Sequence, residues 1–343
     1  MKHDHKIAVI AGDGIGPEVI EAAIPILKRA AAKHGFTLDF ERLPYGADHY
    51  LSTKETLPQA AFEYLRDDVD AILLGAIGDP RVPGNEHARD ILLGLRFRLD
   101  LYINFRPVRL LHPALTPLRS EKNIDFVIFR ENTEGVYTGK GRIEGDTYIA
   151  EEVNTAKGVD RIIRAAFQWA KSHDKTQVTM SDKSNAVPAH RIWQDTFKRV
   201  AAEFAGIDAE HRYVDALAME MVREPERFQV IVTNNLYGDI LSDLGAGLVG
   251  GLGLAASANL HPGRAGLFEP VHGSAPPLAG KGVANPMAAV LTGALMLEQL
   301  GHPEAARDLE GAVTHTLAGG VRTPDIGGKA TTSQVAKAIA REL

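Results

Sequence analysis

The stretch Lys6-Ile7-Ala8-Val9-Ile10-Ala11-Gly12-Asp13-Gly14-Ile15-Gly16-Pro17-Glu18 decides how the fold is read. Ile7 to Ile10 form an apolar run that reads as a buried strand, and the glycines turn it into a helix. Pro17 suits the first helical turn, where a missing N–H costs nothing. A glycine-rich strand-to-helix turn invites a Rossmann reading, but the spacing refuses it. That fingerprint is G-x-G-x-x-G, whereas the glycines here fall at 12, 14 and 16 and position 17 is proline. The stretch reads as a tight turn near a ligand, not as a pyrophosphate cradle.

Working outward, the helix from Pro17 to about His34 carries Val19, Ile20, Ala23, Ile24 and Leu27 on one stripe. Phe36, Leu38 and Phe40 alternate as a strand, Leu57 to Arg66 is helical, and Val69 to Gly75 is a second buried strand. The same alternation continues with a helix over Arg89 to Asp100 and strands over Tyr102 to Val108 and Ile124 to Arg130. An amphipathic helix covers Thr155 to His173, then a strand Gln177 to Met180 and a helix Ala189 to Phe204. Arg212 to Val214 reads as a strand ending at Asp215, Ala216 to Arg223 as a helix, and Phe228 to Val232 as a strand. Gly266 to Pro277 reads as a loop dense in turn formers. Asn285-Pro286 caps a long apolar helix to Leu300, and two more helices follow. Strands alternating with helices of ten or more residues mean an α/β fold with much parallel sheet. The weakly alternating arm 141–154 fits a compact sheet poorly; it reads equally as a surface hairpin or as a segment pairing with a second subunit.

At 343 residues the chain is long enough for about two domains. It is 45% hydrophobic and 24% charged, which is globular composition and argues against disorder. The net charge of -6 offers no basic field to nucleic acid, so a small anionic substrate has to be caught by a local arginine cluster. There is no cysteine, which excludes disulfides, thiolate catalysis and cysteine-ligated metals. Ile7 to Ile10 is too short for a signal-peptide core, and the run Leu244 to Leu260 is broken by Gly and Asn. The expectation is a soluble cytoplasmic protein with no membrane partner.

The densest chemistry lies in Thr233-Asn234-Asn235-Leu236-Tyr237-Gly238-Asp239-Ile240-Leu241-Ser242-Asp243. If helix begins near Leu236, Asp239 and Asp243 project from one face, four residues apart. Carboxylates that close repel unless a cation lies between them, and hard oxygen ligands suit Mg²⁺ or Mn²⁺ better than zinc. A solvated acidic helix face is the bland alternative, but the pair is embedded among Ile240, Leu241 and Leu244. Arg96, Arg106 and Arg130 stand where strands or helices meet loops, and guanidinium forks match carboxylates bidentately. If the three converge with the acidic pair, they describe a pocket for a di- or tricarboxylate. Tyr137 and Lys183 are candidate proton carriers, each titrating near 10 unless charge or burial intervenes. Spacing alone does not single out these two.

Taken together the motifs resemble the β-decarboxylating dehydrogenases: isocitrate, 3-isopropylmalate, homoisocitrate and tartrate/D-malate dehydrogenases. The likeness runs nearly end to end. It rests on Gly12 to Glu18, Leu95-Arg96, Arg106-Pro107, Arg130 to Tyr137 and Asp182 to Asn185, and on Asp215-Ala216, Asn235 to Asp243 and Glu269 to Pro276. The resemblance implies an isopropylmalate dehydrogenase-like two-domain fold, not a Rossmann fold, with a mixed central sheet flanked by helices. One domain would comprise 1–100 and 250–343, the other 101–249 with the arm at a dimer interface. It implies Mg²⁺ or Mn²⁺ on Asp215, Asp239 and Asp243, with Asp215 and Lys183 supplied by the neighbouring subunit of a homodimer. Arg96, Arg106 and Arg130 would bind the malate carboxylates, Lys183 would serve proton abstraction at the C2 hydroxyl, and Tyr137 would protonate the enol carbon after CO₂ leaves. Glu269, His272, Gly273, Ser274, Ala275, Pro277, Leu278, Asn285 and Asp325 would receive the adenosine half of NAD.

One departure bears on the cofactor. NAD-dependent members usually carry an acidic residue where this chain has Pro277, and NADP-dependent ones Lys then Tyr where it has Pro277-Leu278. With no basic residue to meet a 2′-phosphate, NAD is favoured. For substrate choice, Leu92 and Leu93 favour an apolar or small 3-substituent, which makes 3-isopropylmalate the best single expectation. Arg130 to Gly135 is worded as in isocitrate and tartrate/D-malate enzymes, and Arg89 could meet an extra carboxylate. Those substrates, with homoisocitrate, stay open, as does a non-catalytic regulatory subunit. A Mg²⁺-dependent phosphohydrolase would leave the three arginines and Tyr137 without a role.

Overall fold

The computed structural model describes residues 3–119 and 123–343. Its first half runs β1 (Asp4–Ile10), α1 (Gly16–Lys33), β2 (Thr37–Leu43), α2 (Ala47–Thr53), α3 (Gln59–Asp67), β3 (Ala71–Leu74), α4 (Glu86–Arg98), β4 (Ile103–Arg109) and β5 (Asp125–Glu131). Then come β6 (Gly141–Glu144), β7 (Thr147–Ala150), α5 (Ala156–Ser172), β8 (Gln177–Asp182), α6 (Arg191–Ala201), β9 (Asp208–Tyr213), α7 (Val214–Arg223), β10 (Val230–Thr233) and α8 (Asn235–Leu248). The chain closes with β11 (Ala256–Leu260), β12 (Gly266–Pro270), α9 (Met287–Gln299), α10 (Pro303–Ala318) and α11 (Thr332–Glu342).

The chain divides into two compact units. The first takes the run ending at Asp100, Leu111–Leu115 and Gly250–Leu343; the second takes Leu101–Leu110 and Thr116–Val249. In the first, the strand order is β2-β1-β3-β12-β11. β1 pairs parallel with β2 and β3, β12 pairs parallel with β3, and β11 runs antiparallel to β12. α9 is buried from Met287 to Leu297, which is why its sequence is apolar all round rather than striped. α11 begins with a capping box in which Thr331 and Gln334 satisfy each other's backbone N–H.

In the second unit the order is β4-β5-β10-β8-β9, parallel except for the antiparallel pair β4–β5. Phe126, Ile128, Phe228 and Ile231 of the sheet layer pack with Leu217 and Met221 of α7 and Leu241 and Leu248 of α8. This core fixes α8 against β5 and so aims its acidic face. The arm is an antiparallel hairpin, β6 with β7, and its Ile143 and Tyr148 are 65% and 79% exposed.

Several readings shift. β11 was not anticipated, and the region read as a loop from Gly266 begins as strand β12. Both are short and carry polar residues that ordinarily discourage a strand. Here those polar groups satisfy one another, Asn259 donating to the Leu267 carbonyl at 3.1 Å and Ser257 to the Glu269 carbonyl at 2.9 Å. β9 ends at Tyr213 and α7 begins at Val214, so Asp215 sits in a helix's first turn rather than at a strand end. α4 starts at Glu86, before the expected Arg89. Among the described residues no helix is long and apolar enough to cross a membrane.

Phe228 is 1% exposed in the core behind α8. Phe228→Ala is expected to cost about 3–5 kcal/mol of stability, read as a lower denaturant midpoint in urea.

Candidate active site

The opening turn shows why its glycines are off register. At Gly14, φ is +58° and an added Cβ would lie 2.0 Å from the Ser274 carbonyl oxygen; at Gly12, φ is +75° and it would lie 2.1 Å from that of Ala76. Only glycine fits where backbone meets backbone this closely with left-handed φ. The neighbouring Ile15 N–H donates to that same Ser274 carbonyl at 2.8 Å. The turn therefore braces the loop expected to receive the adenosine half, and Asp13 holds it by accepting from the Ala47 and Gly78 amides, each at 2.7 Å, with His87 Nε2 at 2.8 Å.

In that loop His272 is buried, burial pushes its pKa down, and its Nε2 has no partner. A buried ring nitrogen without a partner is suited to a ligand polar group. Asn285 donates to Asp325 at 3.1 Å, and both crowd Gly253. Ala275 takes a left-handed φ of 39°, and Pro277 and Leu278 form a 3₁₀ turn with Leu278 exposed. Glu269 lies in β12 and accepts from Arg96 at 2.7 Å and from Asn259 at 3.0 Å. The Arg96 charge is thus answered inside its own unit, a pairing that sequence spacing of 173 residues could not reveal. Leu92 lies half-buried on α4, one turn before Arg96.

The second unit gathers most of the remaining candidates on α8. Asn234 caps the helix, its Oδ1 accepting from the Tyr237 N–H at 2.8 Å. Arg130, 1% exposed at the end of β5, donates to Asp239 and through Nε to Asn235 Oδ1 at 2.9 Å. The Tyr137 hydroxyl donates to the other oxygen of Asp239 at 2.7 Å, and the Arg130 guanidinium stands 5.2 Å from the Tyr137 ring centre. Arg106 donates to Asn104 Oδ1 and Ser242 Oγ, both at 2.7 Å, and lies 3.4 Å from Asp243 and 3.7 Å from Asp239. Burial pushes the Asp243 carboxyl up, Arg106 pulls it back, and Asp239 adds repulsion. The apolar setting read from the sequence is one-sided. Leu241 is buried, but Ile240 is 59% exposed because it points away from the sheet layer.

Asp215 and Lys183 pair with each other, Nζ to Oδ1 at 2.6 Å, and the ammonium holds the Asp215 carboxyl below the usual range. Among the described residues, no three His, Cys, Asp or Glu side chains gather as a metal site. One chain therefore does not itself bring Asp215 to Asp239 and Asp243. Three residues beyond the candidate set take part. Asn235 bridges Arg130 to the Glu134 carbonyl, donating to the latter at 2.9 Å. His190 accepts from the Lys183 amide at 3.1 Å, and Glu152 meets His190 Nε2 at 3.0 Å. Asn235 lay inside the acidic motif, but nothing in spacing flagged the other two.

Residues 6–339 match the family model described as isocitrate/isopropylmalate dehydrogenase. The chain belongs to that family. It is 43% identical to 3-isopropylmalate dehydrogenase of Thermobifida fusca (98% of this chain, 97% of the relative) and 46% identical to that of Streptomyces griseus (93% of each). Among solved structures, isocitrate dehydrogenase from Methylococcus capsulatus superposes with a TM-score of 0.91 at 38% identity, covering 98% of this chain and 99% of that one. The TT0538 protein of Thermus thermophilus follows at 0.89 and 36%, covering 98% and 68%. The dehydrogenase family accounts for a turn that is glycine-rich without being a Rossmann turn.

A Cβ at Gly238 would lie 2.5 Å from Arg130 Cγ. Gly238→Ala is expected to push the Arg130 side chain off Asp239 and raise KM for the hydroxyacid by about tenfold or more, the equivalent of losing one charge-assisted bond. The far-UV spectrum should stay unchanged. Separately, the His190 bond, aided by Asn154 and Asn234, holds the Glu152 carboxyl below its ordinary 4.5. A depressed carboxyl contributes stability above its unfolded pKa and loses it as pH falls through the folded one. Urea midpoints of Glu152→Gln should fall below wild type at pH 7 and converge with it at pH values below 4.5.

Proposed function

We propose that the protein catalyses the NAD-dependent oxidative decarboxylation of a 3-substituted D-malate, with 3-isopropylmalate as substrate and Mg²⁺ or Mn²⁺ as the required ion. The observation that carries the reading is the convergence of Arg106, Arg130 and Tyr137 on the Asp239–Asp243 face of α8. The relatives named 3-isopropylmalate dehydrogenase favour that substrate, as does the apolar Leu92.

Asp239 and Asp243 supply hard oxygen donors at adjacent turns of one helix face, each side chain more than a third exposed, which fits a divalent ion. Asp215 completes the set from a neighbouring copy, which also brings Lys183. When bound, the ion stabilises negative charge at the substrate's carbonyl oxygen as a Lewis acid. Arg106 and Arg130 bind carboxylates as rigid forks, and their anchors at Asn104, Ser242 and Asn235 fix the direction of each fork. Arg96 serves the same end, steadied by Glu269. Lys183, as its free amine, would take the proton of the C2 hydroxyl, and NAD, when bound, would supply the hydride acceptor. Tyr137 gives its proton to C3 once CO₂ has gone. The Asp239 contact holds the phenol beside the acidic face of α8, and its O–H leaves Asp239 to reach C3.

NAD would lie against His272, Gly273, Ser274, Ala275, Pro277, Leu278, Asn285 and Asp325, and the buried His272 Nε2 is without a hydrogen-bond partner there. The working unit is a homodimer. The exposed apolar side chains Ile143 and Tyr148 of the arm, Met219 and Val222 of α7 and Ile240 of α8 support this, being costly to leave in water.

Turnover is tested by NADH formation with 3-isopropylmalate, D-malate, tartrate, isocitrate and homoisocitrate, with and without Mg²⁺. Activity is expected with 3-isopropylmalate first, only with metal, and with NAD over NADP. No NADH from any of the five would sink the reading. Asp239→Asn should abolish turnover and also lower the urea midpoint, because the buried Arg130 loses the carboxylate that answers its charge, while the far-UV spectrum keeps its shape.

A further inference from the structure

The side chains around Lys183 are bound in a way that the proposed chemistry does not by itself require. His190 is fully buried at the end of a 3₁₀ turn leading into α6. Its Nδ1 accepts from the Lys183 backbone N–H at 3.1 Å, and its Nε2 lies 3.0 Å from each oxygen of Glu152. A ring nitrogen facing an N–H must be bare, and one facing two carboxylate oxygens must carry hydrogen. Both partners are therefore met by a single tautomer, protonated at Nε2 alone. Turning the ring over would replace Nδ1 by Cδ2–H at Lys183 and Nε2 by Cε1–H at Glu152, losing both bonds.

Glu152 is the base of this arrangement. It follows the β6–β7 hairpin directly and also accepts from Asn234, the cap of α8, at 3.0 Å, and from Asn154 at 3.1 Å. Asn154 in turn accepts from the Trp193 indole at 3.0 Å, and Val153 pairs with Gly135 just before Tyr137. One short segment is thus fastened to the loop of Lys183, to the start of the helix bearing Asp239 and Asp243, and to the loop of Tyr137.

We propose that His190, held in one tautomer by Glu152, is a positioning residue that sets the backbone of Lys183 and through it the reach of the amine. The inference rests on Lys183 handling the C2 proton. Neither residue touches the reacting atoms. Their effect is on placement, and misplacement of a proton acceptor lowers turnover rather than binding.

The test compares two near-isosteric variants. His190→Asn keeps an acceptor where Nδ1 stands, whereas His190→Gln keeps a donor toward Glu152 and loses that acceptor. Hydrogen exchange at the Lys183 amide should stay slow in wild type and His190→Asn and quicken by about tenfold or more in His190→Gln. With 3-isopropylmalate, NAD and Mg²⁺, kcat should fall by about tenfold in His190→Gln at nearly constant KM, and by less than about threefold in His190→Asn. If His190→Gln does not fold, Glu152→Ala against Glu152→Gln asks the same question from the other end, with the larger loss expected for Ala. Equal exchange at Lys183 in the paired variants, or equal kcat, overturns the proposal. The exchange measurement needs no turnover, so a wild type inactive on every hydroxyacid would overturn the function while leaving the tether to be judged.

Discussion

Burying the Arg130 guanidinium sets the condition that the second unit is built to meet. A cation removed from water costs several kcal/mol unless its N–H groups are paired and its charge is answered. Asp239 answers the charge and Asn235 the Nε, both from α8. This places the start of α8 directly over the end of β5, and Gly238 has to be glycine because the Arg130 stem passes where a Cβ would stand. With α8 so placed, Asp239 and Asp243 share a face with Arg106, and the same Asp239 receives the Tyr137 hydroxyl. The site and the packing of this unit are one arrangement.

The first unit solves a parallel problem with different means. Its opening turn spends glycines on close backbone approach, so that the Ile15 amide can hold the Ser274 carbonyl. Arg96 is buried and answered by Glu269, which Asn259 steadies in turn. Polar residues that look unsuited to strands are what β11 and β12 use to fix one another. Arg96 and Arg130 are answered by the carboxylates of Glu269 and Asp239, whereas the short bonds of Arg106 go to the neutral Asn104 and Ser242. With Asp243 and Asp239 farther off at 3.4 and 3.7 Å, neutral partners set the direction of the Arg106 fork and the two aspartates answer its charge at longer range.

Periodicity made most helices and the long apolar strands readable, because burial on one stripe or in a continuous run leaves its mark in local order. It failed at β11 and β12, where the strand depends on partners remote in sequence, and at β9, whose alternation is weak and largely polar. The five candidates around α8 were legible as types: arginines at strand ends, a tyrosine after a strand, two aspartates a turn apart. Their convergence was not, since residues 106, 130, 137 and 239 meet only when β4, β5 and α8 pack. Glu152 and His190 left no local trace at all.

By itself, then, the sequence determined the α/β class, the family, the off-register glycine turn and the spacing that puts Asp239 and Asp243 on one face. These are properties of neighbours along the chain, set by sterics and by the 3.6-residue turn. The tertiary structure alone decided which charge answers which. Arg96 belongs to Glu269, Arg130 to Asp239 and Lys183 to Asp215, while His190 turns its bare nitrogen to Lys183. The reason is that a buried charge or a ring tautomer is set by whatever stands within about 3 Å of it, a distance that folding establishes between residues as remote in sequence as Arg96 and Glu269, 173 positions apart.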